Sequence, residues 1–154
     1  TPAPISSWIM GMHMESLGVR MERHCANALA VARWLDADSR ISWVSYPGLE
    51  GDKYHALAEK YMPNGTCGVI SFGVPGGREK VSAFLDHLKM VSIATHVADA
   101  RSCTLYPAGT THRQLTDEQL EEAGVGIDLV RLSCGIENAA DIIADLDQAL
   151  ASIQ

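Results

Sequence analysis

The stretch Asp128–Ile136 reads DLVRLSCGI and alternates in the way that is typical of a β-strand with one buried face. Its apolar row consists of Val130, Leu132, Cys134 and Ile136, and its second row consists of Leu129, Arg131 and Ser133. We expect the apolar row to pack on helices. The pattern therefore predicts that Arg131 projects from the opposite face of a sheet.

Arg131 is the residue of this strand with the clearest capacity for binding. A planar guanidinium group matches the two oxygens of a carboxylate, so an arginine on an open sheet face could hold an anionic ligand. The alternation alone favours a simpler interpretation, in which an exposed strand arginine pairs with an acidic surface residue. Both interpretations stay open on the pattern of residues.

The rest of the chain interleaves further strand and helix signals. Strands are predicted at Ile41–Tyr46, Cys67–Val74 and Cys103–Tyr106, and an irregular crossing loop between Ser92 and Ser102. Helices are predicted from Ile5 to about Leu35 with a kink near Gly18, over Lys53–Tyr61, over Arg78–Met90, from Asp117 after a Thr116–Gln119 capping box, and after an Asn138 cap. This order predicts an α/β (α+β) sandwich, in which a small, mostly antiparallel sheet of about four strands carries helices on one face.

Composition narrows the class of protein. The chain has 154 residues, 12 Lys and Arg against 19 Asp and Glu, and a net charge of −7, which disfavours a protein that follows the nucleic-acid backbone. No apolar run approaches the roughly 18 residues that a membrane span needs. The four cysteines are widely spaced in apolar segments and are interpreted as reduced core thiols, and no targeting peptide is visible, so a cytoplasmic location is expected.

The sequence gives little support for a metal site, a phosphate-binding loop or a serine nucleophile. The six histidines lack the His-x-x-x-His spacing of a metal site, so no metal is expected. The segment Pro75–Gly77 precedes a helix but lacks a full phosphate-binding motif, and we interpret it as a turn. No Gly-x-Ser-x-Gly nucleophile elbow occurs.

Five strings in a fixed order carry a resemblance that runs nearly from end to end. They are LGVRMERH at Leu17–His24, YPGL at Tyr46–Leu49, GVISFG at Gly68–Gly73, YPAGTTH at Tyr106–His112 and VRLSCGIE at Val130–Glu137. Together they resemble the C-terminal part of the Cys/Met-metabolism family of pyridoxal-phosphate enzymes. A VADARS string followed by PAGTTHRQL resembles the O-acetylhomoserine sulfhydrylase branch, whose members make homocysteine or methionine from O-acetylhomoserine and sulfide or methanethiol.

The resemblance gives Arg131 and a nearby loop a role in binding the substrate. Arg131 matches the strand arginine that binds the α-carboxylate of a small amino-acid substrate. Thr95 and His96 fall where the family's loop enters the active site, near the carboxylate and the cofactor-bound lysine. Ala98 replaces a usual Gly, which we interpret as a change of packing.

The resemblance also implies parts that have no matching motif here. Pyridoxal phosphate needs a Schiff-base lysine, an Asp for its pyridine nitrogen, a stacking Tyr and a phosphate cradle, and Lys53, Lys60, Lys80 and Lys89 do not lie in such a setting. We therefore expect residues 1–37 to link to a missing N-terminal cofactor domain and residues 38–154 to form a C-terminal small domain without catalytic residues, cofactor or activity of its own. The resemblance further implies that the full-length enzyme is a homotetramer. A cystathionine synthase or methionine γ-lyase of the same family, and a stand-alone binding module without chemistry, are the alternatives.

Overall fold

The computed structural model describes residues 1–153, which form six α-helices and one five-stranded sheet. The helices are α1 (Pro4–Glu15), α2 (Leu17–Ala37), α3 (His55–Tyr61), α4 (Gly77–Asp86), α5 (Asp117–Glu122) and α6 (Ala139–Ala151). The strands are β1 (Trp43–Ser45), β2 (Val69–Gly73), β3 (Ser92–Ile93), β4 (Cys103–Leu105) and β5 (Leu129–Ser133). Within this part of the chain, no helix combines the length and the apolar character that crossing a bilayer requires.

The strands are ordered β1-β2-β5-β4-β3, and every pair is antiparallel except β3 with β4. This confirms a mixed α/β fold with a mostly antiparallel sheet. The sheet has five strands where about four were predicted. The additional strand β3 lies in the segment that was expected to be irregular, and its two exposed residues give no periodic signal.

The main hydrophobic core lies between the sheet and α2, α4 and α6. Val130, Leu132 and Cys134 are fully buried in it, as the alternation of β5 predicts. Ile136 is 39% exposed, so its predicted place in the buried row is wrong. The strand does not continue to Ile136, because Gly135 donates its N–H to the side chain of Ser102 and Ile136 donates its N–H to Ala100 in a loop.

Helix α2 fixes the end of β5 through two buried polar side chains. The Nδ1 of His24 lies 2.7 Å from the carbonyl oxygen of Cys134. Asn27 donates from Nδ2 to the carbonyl oxygens of Gly135, at 2.9 Å, and Glu137, at 2.7 Å. The helix that carries these residues begins after a break at Ser16, close to the kink predicted near Gly18.

The predicted helix over Arg78–Met90 ends at Asp86, four residues early. The cause is Asp145 on α6, whose buried carboxylate accepts the backbone N–H groups of Lys89, Met90 and Val91, each at 2.9 Å. These N–H groups point to a side chain distant in sequence. A pattern of local residues cannot reveal such a stop signal.

The helix predicted over Lys53–Tyr61 begins at His55 because Asp52 accepts the N–H of Tyr54 at 2.8 Å and holds a turn before it. Both predicted caps are confirmed. Thr116 and Gln119 form the capping box of α5, and the side chain of Asn138 accepts the N–H of Ala140 at the start of α6.

Candidate functional site

Arg131 lies in the middle of β5, on the sheet face opposite the core helices. The register places Ser71 of β2 on one side of it and Leu105 of β4 on the other. The side chains of neighbouring residues in a strand alternate between faces, so the buried Val130 and Leu132 direct Arg131 away from the main core. Arg131 itself is half-buried. Arg131 thus lies on the sheet face that the alternation predicts.

The segment 94–101, which we call the covering loop, crosses this face and contacts the guanidinium. Nη2 of Arg131 donates to the carbonyl oxygens of Thr95, at 3.0 Å, and His96, at 3.3 Å. Among residues 1–153 no Asp or Glu oxygen lies within 4.0 Å of this guanidinium. The surface ion pair that the alternation alone favoured does not form within these residues. A positive charge therefore lies on an open face with neutral carbonyl partners only, which is an arrangement that can accept an anion.

The structure brings Arg131, Thr95 and His96 together through backbone oxygens. The side chain of His96 is 67% exposed, and its Nδ1 lies 3.5 Å from Oδ2 of Asp99. Asp99 also accepts the backbone N–H of Arg101 at 3.0 Å, which tightens the end of the covering loop. A direct contact of Thr95 or His96 with substrate stays a prediction, since the contacts present orient Arg131.

Two residues that sequence reasoning missed hold the covering loop against the sheet. Ser133 accepts the backbone N–H of Ala98 on Oγ at 3.1 Å. Cys103 donates from Sγ to the carbonyl oxygen of His96 at 3.1 Å. Burial raises the pKa of the Cys103 thiol, which keeps the thiol protonated and able to donate. Ser133 could have been noticed because it lies two residues after Arg131, but only the register shows Cys103 opposite Ser133.

Ala98 adopts a left-handed backbone conformation with φ of 58°. The interpretation of this position as a change of packing is therefore wrong. Its constraint is conformational, because a Cβ atom at positive φ approaches the following carbonyl oxygen. Glycine lacks this penalty, which explains in physical terms why a glycine would suit the position.

Replacing Ala98 with glycine is expected to raise the free energy of unfolding by about 0.5 kcal/mol, because relief of the left-handed strain exceeds the added flexibility of the unfolded chain. Gly124 has φ of 71°, and a Cβ atom added to it would meet no other atom within 4 Å, so it offers the matched reverse change. Gly124→Ala is expected to lower the same free energy by about 1 kcal/mol. Urea denaturation of both variants measures the sign of each change in the free energy of unfolding. If Ala98→Gly lowers this free energy, the left-handed backbone at Ala98 is not strained.

Two clefts among the described residues do not have Arg131 in their lining. One cleft of about 540 Å³ is lined by Ser71 and Leu129, which neighbour Arg131 on the sheet, and extends to Asp52 and Lys53. Another cleft, about 650 Å³, lies between α2 and the loop after α3 and does not include Arg131. The 540 Å³ cleft therefore reaches the neighbours of Arg131 without including Arg131 itself.

The described residues do not fit pyridoxal phosphate. A lysine that holds this cofactor as an imine is desolvated in an enclosed pocket. Lys53, Lys60, Lys80 and Lys89 are all exposed, and the ammonium groups of Lys53 and Lys60 lie over the rings of their sequence neighbours Tyr54 and Tyr61. No step that involves the cofactor can be assigned to these lysines. Over the same residues, no group of three or more His, Cys, Asp or Glu side chains could hold a metal ion.

Comparison with known proteins places this geometry in a family. Residues 1–151 match the model of the family described as Cys/Met metabolism PLP-dependent enzyme. The chain is 44% identical over 152 residues to O-acetyl-L-homoserine sulfhydrylase of Leptospira meyeri, a match that covers 98% of the chain and 34% of the relative. It is 46% identical over 147 residues to homocysteine synthase of Schizosaccharomyces pombe, covering 96% of the chain and 34% of the relative.

A solved structure has the same fold. A Campylobacter jejuni protein provisionally assigned as an O-acetylhomoserine (thiol)-lyase, crystallised with a pyridoxyl-lysine phosphate, matches with a TM-score of 0.90 and 38% identity. The match covers 98% of the present chain and 36% of that protein. The chain thus spans about a third of the length of the relatives that it matches.

Proposed function

Because the chain belongs to the Cys/Met metabolism family of PLP-dependent enzymes, we propose that it is the substrate-binding part of an O-acetylhomoserine sulfhydrylase. That enzyme replaces the acetate of O-acetylhomoserine with sulfide or methanethiol and yields homocysteine or methionine. The proposal is supported by relatives named O-acetyl-L-homoserine sulfhydrylase and homocysteine synthase, at 44% and 46% identity. Pyridoxal phosphate supplies the electron sink for this class of chemistry when it is bound.

The observation that carries the proposal is the set of hydrogen-bond partners of the Arg131 guanidinium. Its Nη2 is held by two backbone carbonyl oxygens, and no carboxylate among residues 1–153 neutralises it. Nε and Nη1 make no hydrogen bond within the same residues and can donate to an incoming α-carboxylate. An arginine used for stability would be expected to have an acidic partner. In this proposal Arg131 binds the carboxylate, and the carbonyl oxygens of Thr95 and His96 orient it.

The remaining walls of the site belong, in this proposal, to a cofactor-bearing domain to which residues 1–37 connect residues 38–154. Helix α1 supports this division, because none of its residues is buried and its apolar side chains Ile5, Trp8 and Ile9 are all exposed. An apolar helix surface of this kind is typical of an interface. The chain alone would be inactive, and the whole enzyme would be a homotetramer, as the family resemblance implies.

We place the enzyme in the cytoplasm as part of the same proposal. Support comes from Cys25, Cys67, Cys103 and Cys134, all of which are free thiols. Cys103 and Cys134 are buried, and the half-buried Cys67 packs against the core. The interpretation of all four as core thiols is wrong for Cys25, which is half-buried and does not belong to that cluster.

Substrate competition in the enzyme that contains this chain tests the reaction. The enzyme is expected to convert O-acetylhomoserine and sulfide to homocysteine and acetate at least about tenfold more efficiently, in kcat/KM, than it cleaves cystathionine or methionine. Mass spectrometry of the products, with cofactor-free enzyme as the control, gives the measurement. Preferred cleavage of methionine would assign the chain to a γ-lyase, and formation of cystathionine from cysteine would assign it to a cystathionine synthase.

A further inference from the structure

Three polar side chains on one sheet face contact the covering loop. Arg131 and Ser133 lie two residues apart on β5 and therefore point to the same side. Cys103 lies opposite Ser133 on β4 in the antiparallel register. Ser133 is 1% exposed and Cys103 is 3% exposed, so both lie beneath the loop and neither is accessible to a ligand.

These contacts fall on three of the first residues of the loop. Arg131 donates to the carbonyl oxygens of Thr95 and His96, Cys103 donates to the same oxygen of His96, and Ser133 accepts the N–H of Ala98. The carbonyl of His96 is thus shared by the thiol and the guanidinium. Ser133 and Cys103 hold the peptide groups whose oxygens hold Arg131.

An arginine side chain has several rotatable bonds, and ordering it during binding costs free energy. Affinity rises when that ordering is complete before the ligand arrives. Here the guanidinium of Arg131 is ordered by the backbone carbonyl oxygens of Thr95 and His96. These oxygens keep their positions only while the covering loop stays bound to the sheet. Backbone hydrogen bonds attach the two ends of the loop, from Ala94 to Thr104 at 2.9 Å and from Ile136 to Ala100 at 3.0 Å. Between these ends, Ser133 and Cys103 provide the side-chain attachments to the sheet.

We propose that Ser133 and Cys103 are positioning residues for the substrate, which hold the covering loop so that Arg131 is preset for a carboxylate. This inference rests on the proposed function of Arg131. If it holds, Ser133 and Cys103 raise the affinity for the substrate only while the guanidinium of Arg131 is present. Neither residue contacts the substrate.

The test is a double-mutant cycle in the full enzyme, with cofactor bound. Ser133→Ala is expected to raise KM for O-acetylhomoserine about fivefold with kcat within about twofold of the wild type. Cys103→Ala removes the second side-chain attachment of the loop and is expected to change KM in the same direction. Thr104→Val is the matched control, because Thr104 is 2% exposed and its side chain donates to the carbonyl oxygen of Arg131 at 3.1 Å and not to the loop, which Thr104 contacts only through its backbone carbonyl oxygen.

The decisive comparison is made in an Arg131→Ala background. If Ser133 acts through the guanidinium, Ser133→Ala is expected to change KM by less than about twofold there. If Ser133→Ala raises KM equally in the wild-type and Arg131→Ala backgrounds, the proposal is overturned. It is also overturned if Ser133→Ala and Cys103→Ala each raise KM no more than Thr104→Val does. If Arg131→Ala itself leaves KM unchanged, the proposed function fails and this inference fails with it. If Arg131→Ala raises KM but Ser133→Ala has the same effect in both backgrounds, only this inference fails.

Discussion

Replacing Asp145 with alanine is expected to lower the free energy of unfolding by about 3 kcal/mol, among the largest losses from a single side chain here. The carboxylate accepts three backbone N–H groups, and the change leaves those of Lys89, Met90 and Val91 without it. Val91 is 4% exposed, so water cannot readily replace the lost acceptor. Urea denaturation followed by circular dichroism measures the loss.

Asp147 provides the control on the same helix. It is 57% exposed and pairs with Arg40 at the surface, so Asp147→Ala is expected to cost less than about 1 kcal/mol. Asp145→Asn keeps an oxygen in place and is expected to cost about half as much as the alanine change. Equal losses for Asp145→Ala and Asp147→Ala would contradict the role of Asp145 as the acceptor that ends α4.

The contribution of Asp145 should also depend on pH. Burial would raise the pKa of this carboxyl, but hydrogen bonds from Val91, Lys89 and Met90 outweigh burial, and the pKa lies below its usual value. A lowered pKa in the folded state stabilises the protein above the unfolded value of about 3.9 and loses that effect as the pH falls through the folded value. The stability difference between the wild type and Asp145→Ala is therefore expected to be constant near neutral pH and to shrink below about pH 4.

Replacing Arg131 with alanine in the enzyme is expected to raise KM for O-acetylhomoserine about tenfold or more, equivalent to about 1.4 kcal/mol or more. The change removes the cation that lies without a carboxylate partner within residues 1–153. Arg131→Lys keeps the charge but lacks the planar fork, so an intermediate rise is expected. Steady-state kinetics measures both.

Arg33 serves as the control for general loss of positive charge. It is exposed on α2, a helix that packs on the sheet face opposite to Arg131, and Arg33→Ala is expected to change KM by less than about twofold. A tenfold rise for both arginines would point to net charge rather than to a specific contact. An unchanged KM for Arg131→Ala would remove Arg131 from the site.

The alternation in Asp128–Ile136 was sufficient to predict both the strand and the side on which Arg131 lies. Period-two patterns work where one face is fully buried, as with Val130 and Leu132. The same reasoning failed at Ile136 and at β3, because the strand ends where a loop takes over the hydrogen bonds and because two exposed residues have no period. The end of α4 was missed since Asp145 acts from more than fifty residues away.

The arrangement of residues around Arg131 could be predicted in part. Resemblance to a family indicated Arg131, Thr95 and His96, and the fold brings these three together. Sequence alone could not show that Thr95 and His96 contribute carbonyl oxygens, because every residue has one. Cys103 became visible only through the register with Ser133, which depends on how β4 and β5 pair.

The most direct test of a carboxylate held by Arg131 uses two inhibitors that differ only in that group. Homoserine and its α-carboxamide would each be titrated as competitive inhibitors of the wild-type enzyme and of Arg131→Ala. We predict that the wild type binds the carboxylate about tenfold or more tightly than the carboxamide, and that the ratio falls to about one in the variant. The same ratio in both proteins would contradict the account, because the group that recognises the carboxylate would then lie elsewhere.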